Sequence, residues 1–409
     1  MKRILYLSVT LFLSSCLSEK NVEPGKPSTF IRYFNGGNND YAQVAEETSD
    51  GGIIILGTSK INLVDSDSSK VKLIKTDAYG NTEFQKVYPA TFKSKQNLAA
   101  NALLQLANGG FIVAGTDIST RKDLFLMEVN SQLDSVKRQK FDFTKDPYNI
   151  KEPVEARAIQ LNKNGNYLVL ASIQSDTYNM LLAEIDKNTW AINWVEKYGA
   201  GTSSLGHKLF LDATTPLPNV YWSGTVTRNS TDIRLVKTAQ NSLNTIFDLP
   251  IGEPGFIEQG HDICQYGLLF VVVGSTNKKG SVVGDQDVLF KILNDKGTEL
   301  FSKSITEYGN SEYGGGTDTG NAVCATTNGF VVLGSVNSKG QDDYFLMKYD
   351  GFGNDAWSAP RIFGNTKRND AGASLRQLSD GSLLVLGTTV FGGVNTMMLM
   401  KANSEGDIE

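Results

Sequence analysis

Catalysis needs titratable or nucleophilic side chains gathered in one place, and this 409-residue chain offers few. It has two histidines, His207 after Gly206 and His261 after Gly260. Two imidazoles fall short of the three or four ligands of a closed metal site, so both are expected to be ordinary polar residues. Cys264 and Cys324 have no accompanying His and Asp or Asn of the kind a thiol nucleophile requires. Two buried free thiols are expected, with a disulfide as the alternative in an oxidising compartment. Asp123, Asp232 and Asp343 look like carboxylates that could pair, but each stands just before the same kind of apolar stretch. Their expected role is to cap turns through side-chain-to-backbone bonds. Asp65-Ser66-Asp67-Ser68-Ser69 begins like a calcium loop, yet no Gly stands at its sixth position and no Glu at its twelfth. No phosphate loop, Gly-x-Ser-x-Gly elbow or zincin motif is present. These residues predict no catalytic group, no metal and no cofactor.

The elements that carry them repeat. Seven times an apolar run ends in a small residue, usually Gly, followed by Thr or Ser. Examples are Ile53-Ile54-Ile55-Leu56-Gly57-Thr58, Phe270-Val271-Val272-Val273-Gly274-Ser275 and Leu383-Leu384-Val385-Leu386-Gly387-Thr388. The final Thr or Ser residues are 58, 56, 53, 50, 60 and 53 residues apart. Turn signals such as Asp50-Gly51-Gly52 and Asn108-Gly109-Gly110 precede most runs and supply the positive φ of tight hairpins. A further strand follows each run and ends in a charged residue, from Lys75 to Lys401. Another turn and a strand with an aromatic come next. With the strand before the first turn, each unit holds four antiparallel strands, the blade of a β-propeller. The seventh unit lacks its outer strand, and Phe30-Ile31-Arg32-Tyr33-Phe34 near the start is spare. That predicts an all-β, seven-bladed ring, residues 29–409, closed by the N-terminal strand pairing with 397–401 in the last blade and so removing free edges.

This region resembles the bacterial β-propeller-repeat lipoproteins, whose units read roughly Asp-Gly-Gly-Tyr-Ile-Val-x-Gly-Thr and then Asp-x-Tyr-Leu-x-Lys. Blade 4 departs most, with Thr214-Thr215-Pro216-Leu217-Pro218-Asn219 where the glycine turn belongs. The start of the chain agrees. Met1-Lys2-Arg3, an apolar run too short to span a bilayer and Leu13-Ser14-Ser15-Cys16 have the form of a secretory signal. The last four residues resemble a lipobox, which implies a signal peptide over 1–15 and lipidation (palmitate) of Cys16. Residues 16–28 are polar, with two prolines and a glycine, and read as a flexible tether. The expected location is the outer membrane of a Gram-negative bacterium, lipid-anchored, with either the cell surface or the inner face of that membrane open to it.

The formal charge is −5, and −7 without Lys2 and Arg3. That balance argues against a nucleic-acid partner, which needs clustered cations. Within this resemblance both histidines fall at the mouth of the central channel, with Asn321 and Ala373 in similar places in later units. Loop length points elsewhere. Blades 1 and 5 carry about four extra residues each, within 59–70 and 276–286, and the linker 307–318 between blades 5 and 6 is long and rich in glycine. Long loops on a rigid scaffold are where binding usually resides. Asp65, Asp67, Lys278, Lys279, Tyr313 and Asp318 are the candidate partner contacts. The function expected is a non-enzymatic, protein-binding or scaffold propeller in a surface assembly. A glycan-binding lipoprotein for polysaccharide capture is the second reading, and a carbohydrate-active propeller enzyme the third.

Overall fold

The apolar runs are hydrophobic at every position, not at alternate ones, which is the pattern of a strand buried on both faces. A computed structural model shows what covers them. It describes residues 28–408 apart from 64–65, 90–95, 120, 174–179, 200–202, 213–218, 228–229, 240–243, 279–285, 306–316, 339–340 and 365–369. The described residues form seven four-stranded antiparallel sheets. Blade 1 spans 39–88, blade 2 98–140, blade 3 154–198, blade 4 203–251, blade 5 258–305 and blade 6 319–363. Blade 7 takes three strands from 371–402 and its outer strand from Phe30–Phe34.

The core lies between blades. In the second strand of blade 1, Ile54 and Leu56 pack against blade 2, while Ile53 and Ile55 pack against blade 7. In blade 4, Val220 and Trp222 face blade 3, and Tyr221 faces blade 5. Further clusters join blades 2 and 3 and blades 5, 6 and 7, so every seam of the ring is filled.

Closure follows the expected register. Phe30 pairs with Lys401 and Phe34 with Met397. Both phenylalanines are buried, and each contributes roughly 1.5–3 kcal/mol by leaving water.

The Gly-Thr signature has a local cause. Gly274 lies under the carbonyl of Gln259 in the neighbouring inner strand, and a Cβ there would stand 1.7 Å from that oxygen. The following hydroxyl links one blade to the next. Thr58 Oγ1 accepts the amide of Ala100 at 2.9 Å, Thr116 Oγ1 that of Ala156 at 3.2 Å, Ser172 Oγ that of Gly206 at 3.1 Å, and Thr388 Oγ1 that of Ala42 at 2.9 Å.

One expectation about loops is corrected. Among the described residues, those added in blade 1 extend a hairpin, with Ser59 opposite Lys70 and Leu63 opposite Ser66. Ser and Asp read as turn formers in isolation, but the ladder of the preceding apolar strands simply continues through them. Asp67 pairs with Asn62 in that hairpin.

Candidate active site

In all seven inner strands the pairing with the second strand skips one residue. The extra residues are Gln43, Asn101, Arg157, His207, His261, Asn321 and Ala373. A bulge re-aims the side chain it carries, and here the seven bulges form a ring. All seven residues line a single cavity of about 260 Å³ at the centre of the propeller. Each follows an Ala or a Gly, the one signal in the sequence that marks the position. His207 and His261 therefore sit in mid-strand, in the channel wall, and not at its mouth.

The two imidazoles are neighbours, with ring centroids 6.0 Å apart and planes at 73°. Their hydrogen bonds assign the tautomers. His261 Nδ1 lies 2.9 Å from the carbonyl of Gly320 and must donate to it, leaving Nε2 with its lone pair. His207 Nε2 lies 3.2 Å from Thr225 Oγ1, whose own proton goes to the Gly260 carbonyl at 3.4 Å. His207 is thus the Nε2–H tautomer. Burial lowers its pKa to about 3, with smaller contributions from His261 and Arg157. Burial also lowers that of His261, but the Gly320 bond and Asp262 work against it. Both rings are neutral at pH 7, and His261 is the stronger base.

Charges surround them. Arg157, Lys208 and Arg376 line the cavity, as do Glu46 and Asp262. Both acids are engaged: Glu46 lies 3.5 Å from Arg376, and Asp262 lies 3.3 Å from Lys208 while accepting the amides of Ile263 and Val323. Arg157 contacts Glu155 at 3.1 Å and donates through Nε to Ser172 Oγ. Among the described residues no group of three His, Cys, Asp or Glu converges as metal ligands do. Sequence reasoning missed the cations, because nothing but the bulge register brings them to one place.

Cys264 and Cys324 are free thiols at equivalent inner-strand positions, opposite Val271 and Val331. Burial pushes the Cys324 thiol up to about 12 and that of Cys264 well above its ordinary value. The three aspartates stay apart, one to a blade. Asp123 is held by Arg121 and, at 3.3 Å, by Lys140, and Asp232 accepts a bond from Ser230. At Asp123 and Asp232 these partners are side chains. Of the candidate partner contacts, Asp65, Lys279 and Tyr313 lie outside the described residues, as does Cys16, the expected lipidation site. Lys278 is exposed and paired with Glu253. Asp318 is buried, with its amide bonded to the Gln286 carbonyl at 2.8 Å, so it presents no loop contact.

No family model matches the chain, and no curated protein matches it. Solved structures do. A polysaccharide lyase of the ulvan lyase family PL25, bound to -[GlcA(1-4)Rha3S]-, is 9% identical with a TM-score of 0.58, covering 92% of this chain and 96% of its own. The polysaccharide lyase Uly1 is 8% identical with a TM-score of 0.53, covering 90% of each. A quinohemoprotein alcohol dehydrogenase from Comamonas testosteroni is 10% identical with a TM-score of 0.50, covering 93% of this chain and 77% of its own. Identities this low speak for the shared fold. The expectation of a non-enzymatic, protein-binding scaffold is overturned by these neighbours, each of which is an enzyme.

Proposed function

We propose that the protein is a carbohydrate-active propeller enzyme that cleaves an acidic polysaccharide by elimination, with its site in the central channel. The observation that carries this reading is the pair of neutral imidazoles beside Arg157 and Lys208. Hydrolysis of a glycosidic bond ordinarily uses two carboxylates, one protonated and one not. The channel's two carboxylates are already committed to cations and backbone amides. Elimination needs instead a base and a cation. His261 Nε2 takes the proton from the carbon next to a uronate carboxylate, and Arg157 or Lys208 holds that carboxylate as negative charge develops. The electron pair forms a carbon–carbon double bond, the glycosidic C–O bond breaks, and the departing oxygen takes a proton from water. His207, less basic still, stays neutral and adds no charge to oppose the cations.

The test is to incubate the protein with uronate-containing polysaccharides and follow ultraviolet absorbance of the unsaturated product. His261→Ala should lower the rate by roughly 10²–10⁴-fold, the usual contribution of a general base. Absence of unsaturated product from every uronate polymer, or full activity in that variant, defeats the reading.

The repeats and the Leu13-Ser14-Ser15-Cys16 motif support membership of the β-propeller-repeat lipoproteins and anchoring to the outer membrane through Cys16. Cys16→Ala should move the protein from the membrane to the soluble fraction and abolish incorporation of labelled palmitate. Retention in membranes at high salt would rule out that anchor.

A further inference from the structure

Each blade has two ends. The turns joining its first strand to its second and its third to its outer strand lie at one; its second hairpin and the links to neighbouring blades lie at the other. At the first end most described turns carry polar tips, such as Asp50-Gly51, Asn108-Gly109, Asn164-Gly165 and Asp380-Gly381. Blades 5 and 6 break that pattern. Blade 5 turns through Gly267-Leu268, and blade 6 places Phe352 in Asp350-Gly351-Phe352-Gly353-Asn354. Phe352 is 81% exposed and Leu268 70%, the two most exposed large apolar side chains among the described residues. They belong to adjoining turns. A Cβ on Gly351 would stand 2.5 Å from the ring of Tyr266, and one on Gly353 would stand 2.7 Å from that of Phe301.

Neither turn needs an apolar tip. Asp350 accepts the amides of Phe352 and Asn354 at 2.8 and 2.9 Å, and Gly353 supplies φ of +87°. The same cap is made in blades 2, 5 and 7 with Gln132, Lys296 and Glu405 in the place of Phe352, and in blade 1 with the half-buried Tyr79. Three acids of this end are held by cations: Asp355 by Lys303 at 2.6 Å, Asp380 by Lys401 at 2.7 Å and Asp407 by Arg361 at 2.8 Å. The chain ahead of the ring arrives at this same end. Phe30 opens the closing strand, and a Cβ on Gly80, in the turn of blade 1, would stand 2.7 Å from its ring. That strand belongs to blade 7, next to blade 6.

We propose that this end of the ring docks on a lipid bilayer, with Leu268 and Phe352 entering the headgroup region. The inference rests on the reading that Cys16 carries the lipid. Residues 17–28 then run from the bilayer to the ring and reach at most about 40 Å. They join the ring at the end that bears Leu268 and Phe352, so the tether brings these side chains to the surface at an effective concentration in the millimolar range. Large apolar side chains left in water, where the repeat elsewhere uses polar ones, gain by leaving it. The paired acids beside them do little to repel lipid headgroups. Docked in this way, the ring turns its opposite end, where the links between blades run, toward the medium, and substrate approaches the channel from there.

The experiment holds residues 17–409 on vesicles of phosphatidylcholine and phosphatidylethanolamine through an N-terminal hexahistidine and a nickel-chelating lipid. The tryptophan of Phe352→Trp should shift its emission to the blue on these vesicles and be quenched by lipids brominated near the headgroup. Ile118→Trp, at the opposite end of the ring, should show neither change. Leu268→Asp added to Phe352→Trp should weaken docking by about tenfold or more and abolish the quenching. Near-ultraviolet circular dichroism checks that each variant is folded; if Phe352→Trp is not, Leu268→Trp takes its place, with Phe352→Asp as the added change. Absence of quenching at the tip, equal quenching at both ends, or self-association in solution that Phe352→Asp removes overturns the proposal; the last would give the face to a second copy of the chain. The hexahistidine stands in for the lipid, so this result does not depend on Cys16, and the fractionation of Cys16→Ala tests the anchor separately.

Discussion

The seam between blades 1 and 2 and the seam between blades 4 and 5 are built from the same Gly-Thr signature and use it differently. At the first, the Thr58 hydroxyl accepts the Ala100 amide and does nothing but hold two sheets together. At the second, the Thr225 hydroxyl donates to the Gly260 carbonyl and receives the His207 proton. One seam further, Ser275 Oγ has no hydrogen-bond partner among the described residues, and His261 on the Gly320 carbonyl and Asp262 on the Val323 amide link the blades. The repeat thus supplies seven equivalent positions, and at the blade 4 bulge the structural hydroxyl is reassigned to orienting His207. A propeller can acquire a site without altering its scaffold, because the bulge side chains line the channel.

That contrast can be broken by experiment. The largest effect expected is on turnover: His261→Ala should cost roughly 10²–10⁴-fold, whereas Asn321→Ala, at the same bulge one blade on, should stay near the native rate. Equal losses would mean that the bulge ring is structural throughout.

The next effect is on stability against pH. The folded pKa of His207 lies near 3, below the ordinary 6.5. The folded state therefore binds fewer protons than the unfolded one between these values. Its stability is complete above pH 6.5 and falls as pH drops toward 3, by at most roughly 1.4 kcal/mol per unit. Urea denaturation between pH 7 and 4 should show that slope, and His207→Gln should flatten it; a slope identical in both would place the titration elsewhere.

The smallest effect separates the two threonines. Thr58→Val strands a buried amide and should cost about 1–3 kcal/mol. Thr225→Val strands the Gly260 carbonyl and the His207 N–H, so its cost should be of the same order, about 1–3 kcal/mol, but it alone should shift the pH profile of activity. Thermal melts and rate profiles of both variants decide; an unchanged profile in Thr225→Val would erase the distinction.

The ring and its closure were legible because both are written as patterns along the chain. Continuous apolar runs declare strands covered on two faces, and a missing outer strand at one end finds its spare at the other. The site was half legible. His207 and His261 stood out as residues, but their meeting depends on a bulge, and the bulge carries Gln, Asn, Arg, His and Ala alike. It is set by the pairing register, which only the Ala or Gly before each bulge announces. Arg157, Lys208 and Arg376 were invisible for the same reason. Asp318 misled because a polar residue beside a glycine-rich linker reads as exposed, whereas its amide is tied to Gln286 and its side chain is covered.

The closing strand has a mechanical consequence. Within six of the blades each strand is covalently continuous with the next, but Phe30–Phe34 meets Val394–Ala402 through hydrogen bonds and side-chain packing alone. Any load on the chain ahead of residue 28 enters the ring at that strand, along its length. Tension there acts to slide five residues out of register together, so the ladder resists as a unit until it gives way at once. The part of the ring that takes the pull is also its latch, and Tyr33 on that latch stacks on Phe391 of the blade 7 hairpin. A tug strong enough to slip the strand would therefore open the ring and part that aromatic stack in a single event.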